Sequence, residues 1–278
     1  MKIVVTGAAG QLGSEIVARY GGRAEVVAVT RQVLDLGDAP AVESFLAACA
    51  PNVVINCAAY NDVDGSEDHA VDALRINAFA VRALALGAAR AGAAFVHFGT
   101  DFVFDGRADR PYTEADEPAP LSVYAQSKLL GEWFAAGVSR HYVLRVESLF
   151  GGPARRSSVD RIADAIRSGA PSKVFTDRTV TPSFVQDVAA ATWHLLSANA
   201  PAGVYHCVNS GTTTWYELAQ EMGRILGTQP NLEPVTVAEM PRKASRPQYA
   251  ALSNDKLTRA GFRMPEWQDA LRRYLAAD

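Results

Sequence analysis

The chain has 278 residues, 49% of them apolar, and a formal net charge of −3. That length suits one large domain or one domain with an appended lobe, and the apolar share is ample for a packed core. The mildly acidic balance argues against a general nucleic-acid binder, and no apolar run reaches the ~20 residues needed to cross a bilayer. Cys49, Cys57 and Cys207 are widely spaced and odd in number, a usage that fits a reducing cytosol better than a disulfide framework. The short apolar run at the N-terminus leads straight into a glycine loop and is not a signal peptide. A cytoplasmic protein without membrane or nucleic-acid partners is expected.

Residues 2–6 are short, β-branched and followed at once by glycine, which reads as a buried strand. A helix is predicted from 11 to about 20, a strand at 25–30, and a helix at 39–49 with Asp38 as its cap and Pro40 in its first turn. A strand follows at 52–58, then a long helical pattern at 66–91, a strand at 94–99, a helix at 122–137 and a strand at 141–146. This alternation predicts an α/β fold, a doubly wound parallel sheet of Rossmann-like type covered on both faces. Beyond Phe150 the rhythm changes. Helices are predicted at 157–168, 184–197, 214–226 and 267–276, with short strands at 173–175 and 203–207.

Thr6-Gly7-Ala8-Ala9-Gly10-Gln11-Leu12-Gly13 joins the first strand to the first helix. Gly7 permits the tight turn, Gly10 lets backbone approach a pyrophosphate, and Gly13 lets the helix pack closely on the sheet. The helix N-terminus then offers free N–H groups to phosphates. Arg31 follows the second strand, where the adenosine ribose of a dinucleotide should lie. An Arg there can pair with a 2′-phosphate, which favours NADPH over NADH, or can be a solvated surface charge. Asp35 could accept from the adenine amino group or cap the next segment. Ala58 and Ala59, after the third strand, are small enough for a dinucleotide to pass. Residues 1–150 are therefore predicted to bind the dinucleotide, with 176–208 returning to the sheet, and 151–175 and 209–278 to form a smaller C-terminal substrate lobe.

Tyr124 and Lys128 stand four residues apart on one face of the 122–137 helix. A phenol has an ordinary pKa of about 10, and a nearby cation can lower it by roughly 1–3. Such a group exchanges a proton with an alcohol or ketone. Beside a dinucleotide-type loop, the pair points to hydride transfer at a carbon–oxygen bond.

With these residues and Phe98-Gly99-Thr100-Asp101-Phe102-Val103-Phe104 at the end of the fourth strand, the chain resembles an extended short-chain dehydrogenase/reductase. It is similar to the dTDP-4-dehydrorhamnose reductase family. The matching stretches include Gly10 to Gly13, Leu34-Asp35-Leu36, Asn56 to Tyr60 with Val63, Asp64 and Glu67, and Arg246-Pro247. The resemblance implies reduction of the 4-keto group of a nucleotide-linked 6-deoxysugar, with NADPH as cofactor and NADH left open. In this reading Tyr124 donates a proton to the carbonyl oxygen and Thr100 orients that oxygen. Lys128 lowers the Tyr124 pKa and holds the nicotinamide ribose. Asn77 supports Lys128 through water or backbone, or is a helix-surface amide. The cofactor set becomes Gly7, Gly10, Gln11, Leu12, Gly13, Arg31, Asp35, Leu36, Ala58, Ala59, Tyr60, Asn77, Tyr124 and Lys128.

Val63, Asp101 and Phe102 correspond to positions facing the sugar. Arg246 is either a planar fork for a pyrophosphate or part of a solvated basic loop, Arg242-Lys243-Ala244-Ser245-Arg246. One departure concerns Arg145-Val146-Glu147-Ser148, where the family usually carries Arg-Thr-Ser-Trp. Glu147 is therefore included with the substrate residues. The resemblance leaves a homodimer open. Two alternatives also stand: a non-catalytic dinucleotide-binding regulatory subunit, and a nucleotide-sugar epimerase or dehydratase retaining NAD. His97, His194 and His206 lack metal-ligand spacing, so no metal site is predicted. Trp193, Trp215 and Trp267 read as packing residues, Glu114, Asp116 and Glu117 as a solvated acidic loop, and Thr181 or Ser183 as a cap for the helix that follows.

Overall fold

A computed structural model describes residues 1–153 and 155–276; positions 154, 277 and 278 of the expected lobe lie outside them. The first half alternates β1 (Lys2–Thr6), α1 (Gln11–Tyr20), β2 (Glu25–Val29), α2 (Ala39–Cys49) and β3 (Val53–Asn56). It continues through α3 (Ala70–Leu74), α4 (Ala80–Arg90), β4 (Ala94–Thr100), α5 (Val123–Ala136) and β5 (His141–Val146). After β6 (Leu149–Phe150), α6 (Ser158–Ser168), β7 (Ser172–Phe175), β8 (Thr179–Val180), β9 (Ser183–Phe184) and α7 (Val185–Ser197), the strand β10 (Gly203–His206) rejoins the main sheet. The chain ends with β11 (Thr213–Thr214), α8 (Trp215–Leu226), β12 (Leu232–Val235), α9 (Asp255–Arg259) and α10 (Trp267–Ala276).

The main sheet is parallel, in the order β10-β5-β4-β3-β1-β2. Its doubly wound, Rossmann-like character matches the prediction. The period of two along a strand sends alternate side chains to opposite faces. Ile3 and Val5 of β1 join a core with α1 and α7, while Val4 joins a core with α2 and α4. All seven residues of β4 are buried, as expected of a central strand covered on both faces. Tyr20 ties the first layer together, donating its hydroxyl to the Ala189 carbonyl at 2.7 Å. The order in which strands are added reverses between β1 and β3, so a crevice opens at their carboxyl ends. Pairs β7–β12, β8–β11 and β6–β9 build the smaller part beside that crevice.

The long helix predicted over 66–91 is interrupted. A 3₁₀ turn at Gly65–Glu67 precedes α3, and a π-turn at Arg75–Phe79 joins α3 to α4. The π-turn brings Asn77 inward, where its side chain is 1% exposed. Its carbonyl lies so close to Gly131 of α5 that a Cβ at position 131 would collide with it. Helix α5 thus rests backbone to backbone on this turn. Ser122 caps its start by accepting from the Ala125 amide at 3.3 Å, and Glu67 accepts from the Val123 amide at 2.9 Å.

Other expectations shift. The acidic loop is not simply solvated: Asp116 takes two bonds from Arg110, at 2.9 and 2.6 Å, and Glu114 accepts from the His206 amide at 2.7 Å. Neither Thr181 nor Ser183 caps α7. Its N-cap is Phe184, whose amide donates to Asn209 Oδ1 at 2.8 Å. Among the described residues no helix is long and apolar enough to cross a membrane.

One buried ion pair fixes α5 to β5. Arg145 Nη2 donates to Glu132 Oε2 at 2.8 Å, and the two side chains are 5% and 3% exposed. Removing one partner leaves an uncompensated buried charge, which costs about 3–5 kcal/mol. Glu132→Ala is therefore expected to lose about that much stability in urea unfolding, and Glu132→Ala with Arg145→Met to lose less than the single change. Equal or greater loss in the double variant would contradict this account.

Candidate active site

The glycine loop is held by close backbone approach. Gly7 adopts φ +64°, and a Cβ there would lie 2.6 Å from the Ala58 amide nitrogen. A Cβ on Gly13 would collide with the Gly7 carbonyl. The Gly10 amide closes the turn on the Gly7 carbonyl at 2.9 Å. Helix α1 begins at Gly10 without a side-chain cap, which leaves its first amides to serve an anion. Leu12 is buried in the core below the loop, and Gln11 Nε2 reaches the Leu149 carbonyl at 3.3 Å.

A polar chain crosses the strand ends behind this loop. Thr6 donates to Asn56 Oδ1 at 2.7 Å, which also accepts from the Ala58 amide at 3.1 Å. Asn56 Nδ2 meets His97 Nδ1 at 3.1 Å. Burial holds the His97 pKa well below its usual value, so the ring is neutral. Asn77 Oδ1 accepts from the Tyr60 amide at 2.8 Å, and its Nδ2 donates to the Tyr60 carbonyl and to Ser127 Oγ, both at 3.0 Å. Asn77 is thus no helix-surface amide; it joins the Ala58-Ala59-Tyr60 segment to α5. Beyond β2, Arg31 is exposed. The Asp35 carboxylate accepts from the Gly37 amide at 2.9 Å and from Arg75 at 2.7 Å, with the neighbouring Leu36 half-buried.

Thr100 at the end of β4 donates to Asp101 Oδ1 at 3.0 Å and accepts from the Phe102 amide at 3.2 Å, and Tyr124 in the first turn of α5 lies near enough for Thr100 to favour its phenolate. Lys128 is 4% exposed, and its ammonium donates to the Phe98 carbonyl at 2.6 Å. Burial lowers its pKa to about 8, against the pull of Glu132. The expected acidification of Tyr124 by Lys128 is not found. Burial and, next, the Asp101 carboxylate push the phenol up, and only the nearby Thr100 hydroxyl pulls it down. The ammonium is spent on a backbone carbonyl instead. Tyr124 therefore holds its proton, the state needed to give one away.

Asp101 and Glu147 lie behind this pair, 3% and 1% exposed. Burial drives the Asp101 carboxyl up to about 7, opposed by Arg178, Thr100 and the amides of Asp101 and Phe102. Glu147 is also raised, by burial and then by repulsion from Asp101. Its Oε2 accepts from the Thr181 amide at 2.6 Å and from the Thr181 hydroxyl at 2.5 Å. Phe102 stands between the two halves of the site. Its ring meets Tyr124 edge-on at 5.7 Å, and the Arg178 guanidinium lies 5.5 Å from its centroid.

Arg178 opens into a cleft of about 940 Å³ lined also by Val63, Arg161, Trp215, Arg242 and Arg246. Arg246 is not free: both its terminal nitrogens bind Asp64 at 2.9 Å. This fork holds the Asp64 pKa down to about 2 and pins the 242–247 segment against Val63. Of the expected substrate residues, Val63 and Arg246 line the cleft, Phe102 sits at its inner end, and Asp101 and Glu147 are buried beyond it. Arg178 and Arg161 escaped the sequence reading, whereas Trp215, read as a packing residue, is buried in the core and also borders the cleft. No motif marks the two arginines; the only signal was the position of Arg178 just before the Thr179–Ser183 turn. Among the described residues no group of three or more His, Cys, Asp or Glu side chains could hold a metal ion.

Comparison with known proteins agrees with this architecture. Residues 1–278 match the family described as the RmlD substrate binding domain. A dTDP-4-dehydrorhamnose reductase of Mycobacterium tuberculosis is 36% identical over 285 aligned positions, covering 99% of this chain and 93% of the relative. The crystal structure of a dTDP-4-dehydrorhamnose reductase from Clostridium acetobutylicum superposes with a TM-score of 0.95 at 36% identity, covering 100% of this chain and 99% of that one. The Bacillus anthracis dTDP-4-dehydrorhamnose reductase, solved in complex with NADP, also gives 0.95, at 28% identity and with 100% and 99% coverage. The chain belongs to the RmlD substrate binding domain family.

Proposed function

We propose that this chain is an NAD(P)H-dependent reductase of the 4-keto group of a nucleotide-linked 6-deoxysugar, with dTDP-4-dehydrorhamnose as the reference substrate. The observation that carries the reading is the placement of Thr100 at the end of β4, and of Tyr124 and Lys128 on α5 beside it, between a glycine loop and an arginine-lined cleft. The names of the relatives, one of them solved with NADP, support it.

The loop fits a dinucleotide because Gly7 and Gly13 leave no room for a Cβ and α1 starts uncapped. Gly7, Gly10, Gln11, Leu12 and Gly13 would hold the pyrophosphate. Arg31, Asp35 and Leu36 would meet the adenosine end, and Ala58, Ala59, Tyr60, Asn77 and Lys128 the nicotinamide end. When bound, the reduced cofactor supplies hydride to the keto carbon. Tyr124 then gives its proton to the oxygen. Burial keeps that proton in place beforehand, and an alkoxide is a stronger base than a phenolate, so the transfer runs downhill. Thr100 orients the same oxygen. The diphosphate would lie near Arg178 and Arg242, whose planar guanidinium groups suit phosphate oxygens, while Arg246, bound to Asp64, holds the 242–247 segment in place. In this division 1–150 with 176–208 would carry the dinucleotide, and 151–175 with 209–278 the sugar nucleotide, with Arg178 and Val63 reaching the cleft from the first part.

Purified protein should oxidise NADPH when dTDP-4-dehydrorhamnose or a related 4-keto sugar nucleotide is added. Tyr124→Phe should lower kcat by about 10²–10⁴-fold while NADPH affinity stays within a small factor. Normal turnover in that variant would remove Tyr124 from the chemistry, and tightly retained NAD with no net reduction would favour an epimerase.

A second expectation concerns the cleft. Arg242 is exposed, and losing one charge-assisted bond of about 1.5–3 kcal/mol to a phosphate weakens ground and transition states alike. Arg242→Met should raise KM about tenfold or more with little change in kcat. A loss confined to kcat would place the diphosphate elsewhere.

A further inference from the structure

Between β12 and α9, residues 236–248 form no regular secondary structure, yet hydrogen bonds divide them into a neck and a tip. One carboxylate closes the neck. Asp177, in the β7–β8 connection, accepts from the Val237 amide at 3.0 Å and from Gln248 Nε2 at 3.0 Å. Backbone strengthens the same end, where the Gln248 carbonyl accepts from the Thr179 amide at 3.0 Å. Gly106 packs under it so closely that a Cβ there would lie 2.5 Å from Pro247 Cα.

The tip crosses to the other wall of the cleft. Asp64 Oδ1 accepts from the Ala244 amide at 3.0 Å and from Arg246 Nη1 at 2.9 Å, while Oδ2 accepts from Arg246 Nη2 at 2.9 Å. Lys243 pairs with Asp68. Both acids flank the 3₁₀ turn at Gly65–Glu67. These contacts face water: the Asp64 side chain is 36% exposed and that of Asp68 59%. Exposed ion pairs contribute little to stability, and a bidentate fork somewhat more. The tip is therefore the end that lets go, and the neck is the end that stays.

The loop carries three cations. Asp64 and Asp68 engage Arg246 and Lys243, whereas Arg242 is exposed and lines the cleft. Beside the neck, Arg178 also lines the cleft, with its Nε buried and without a hydrogen-bond partner among the described residues. An anion between these two guanidinium groups meets Arg178 whether the tip is seated or not, but meets Arg242 only when it is seated. A ligand shifts a conformational equilibrium only through contacts that differ between the two states, and Arg242 supplies such a contact.

We propose that residues 238–247 are a lid, hinged at Asp177 and latched by Asp64, and that the diphosphate of a nucleotide-linked sugar holds it shut by bridging Arg178 and Arg242. Opening parts the Asp64–Arg246 fork and moves the 240–247 wall away from Val63, so that substrate enters and product leaves. Closing excludes water from the inner end of the cleft at Phe102.

Trypsin reads the lid directly. The Lys243–Ala244 bond is shielded while Ala244 stays 2% exposed. Asp64→Asn and Arg246→Met should each speed cleavage after Lys243 about tenfold, because a charge-assisted bond is lost and cleavage tracks the open population. Both changes together should do no more than either alone, since they break the same fork. Cleavage elsewhere should keep its native rate. No acceleration, an additive double variant, or acceleration spread over the whole chain overturns the latch. Without turnover, dTDP should slow cleavage after Lys243 in the native protein and do so less in Arg242→Met. The proposal rests on the reductase reading for what the lid closes on, and the two fail separately. Latch-dependent cleavage that dTDP leaves unchanged overturns the diphosphate as occupant. Protection by dTDP in a protein that reduces no keto-sugar nucleotide upholds the lid and overturns the reductase reading.

Discussion

Every part of the candidate site inherits its position from the seat of α5. That helix carries Tyr124, Lys128, Gly131 and Glu132, and each of the last three contacts a different support. Gly131 admits the Asn77 carbonyl of the π-turn. Lys128 reaches the Phe98 carbonyl of β4, and Glu132 closes on Arg145 of β5. The spacing of these residues places them on one stripe of the helix. The stripe faces a sheet whose own strand ends are locked by the Thr6–Asn56–His97 chain. Tyr124 is delivered to Thr100 by contacts that do not involve the phenol at all. A change at Glu132 or Asn77 would therefore misplace a hydroxyl that neither residue touches.

Electrostatics in this seat run against the simplest view of a Tyr/Lys pair. A nearby ammonium acidifies a phenol only where its charge is felt more strongly than the loss of water. Here Tyr124 is enclosed by Phe102 and the β4 end, and Asp101 repels the phenolate. Lys128 has its pKa lowered by burial to about 8 and donates to the Phe98 carbonyl. The outcome is a neutral phenol beside a hydroxyl that can accept or donate, and this suits proton donation to an oxygen that becomes strongly basic as hydride arrives. The arginines add the opposite sign farther out. Arg178 spans the boundary, close to the ring of Phe102 on one side and lining the cleft on the other. A polyanionic substrate in the cleft would therefore be felt by the buried carboxyl pair through a single guanidinium.

What the sequence made legible follows the range of the forces involved. Strands β1 and β4 and helices α1 and α2 are marked by local signals: a β-branched run, an apolar period, a glycine turn, an Asp–Pro start. Their bounds differ from expectation by a residue at most. The glycine loop was legible for the same reason, since its φ values and close approaches need glycine at fixed positions. The π-turn at Arg75–Phe79 was not, because nothing in a continuous helical period shows one inserted residue. What decides it is Asn77 satisfying Tyr60 and Ser127, groups 17 and 50 residues away in sequence. Arg178 was invisible because an isolated Arg gains meaning only from its distant neighbours Asp101, Glu147 and Phe102. Glu147 was noticed as a departure from a pattern, yet its burial against Thr181 could not be read from the chain.

That departure reshapes the inner wall of the site in a specific way. Position 148, where the family usually has Trp, holds Ser148 in a left-handed conformation at φ +45°. Such a conformation is uncommon for a residue with a Cβ and needs support from its surroundings. Support comes from the next residues: Leu149 and Phe150 pair with Ser183 and Phe184, and Phe150 stacks on Phe184 at 5.3 Å. The chain therefore turns sharply just after Glu147, which directs the carboxylate to Thr181. With no indole at 148, the aromatic surface beside Tyr124 is the edge-on ring of Phe102. In the proposed reductase, selection among keto sugars would fall to Phe102 and the charges behind it, and the hydride chemistry to Thr100 and Tyr124.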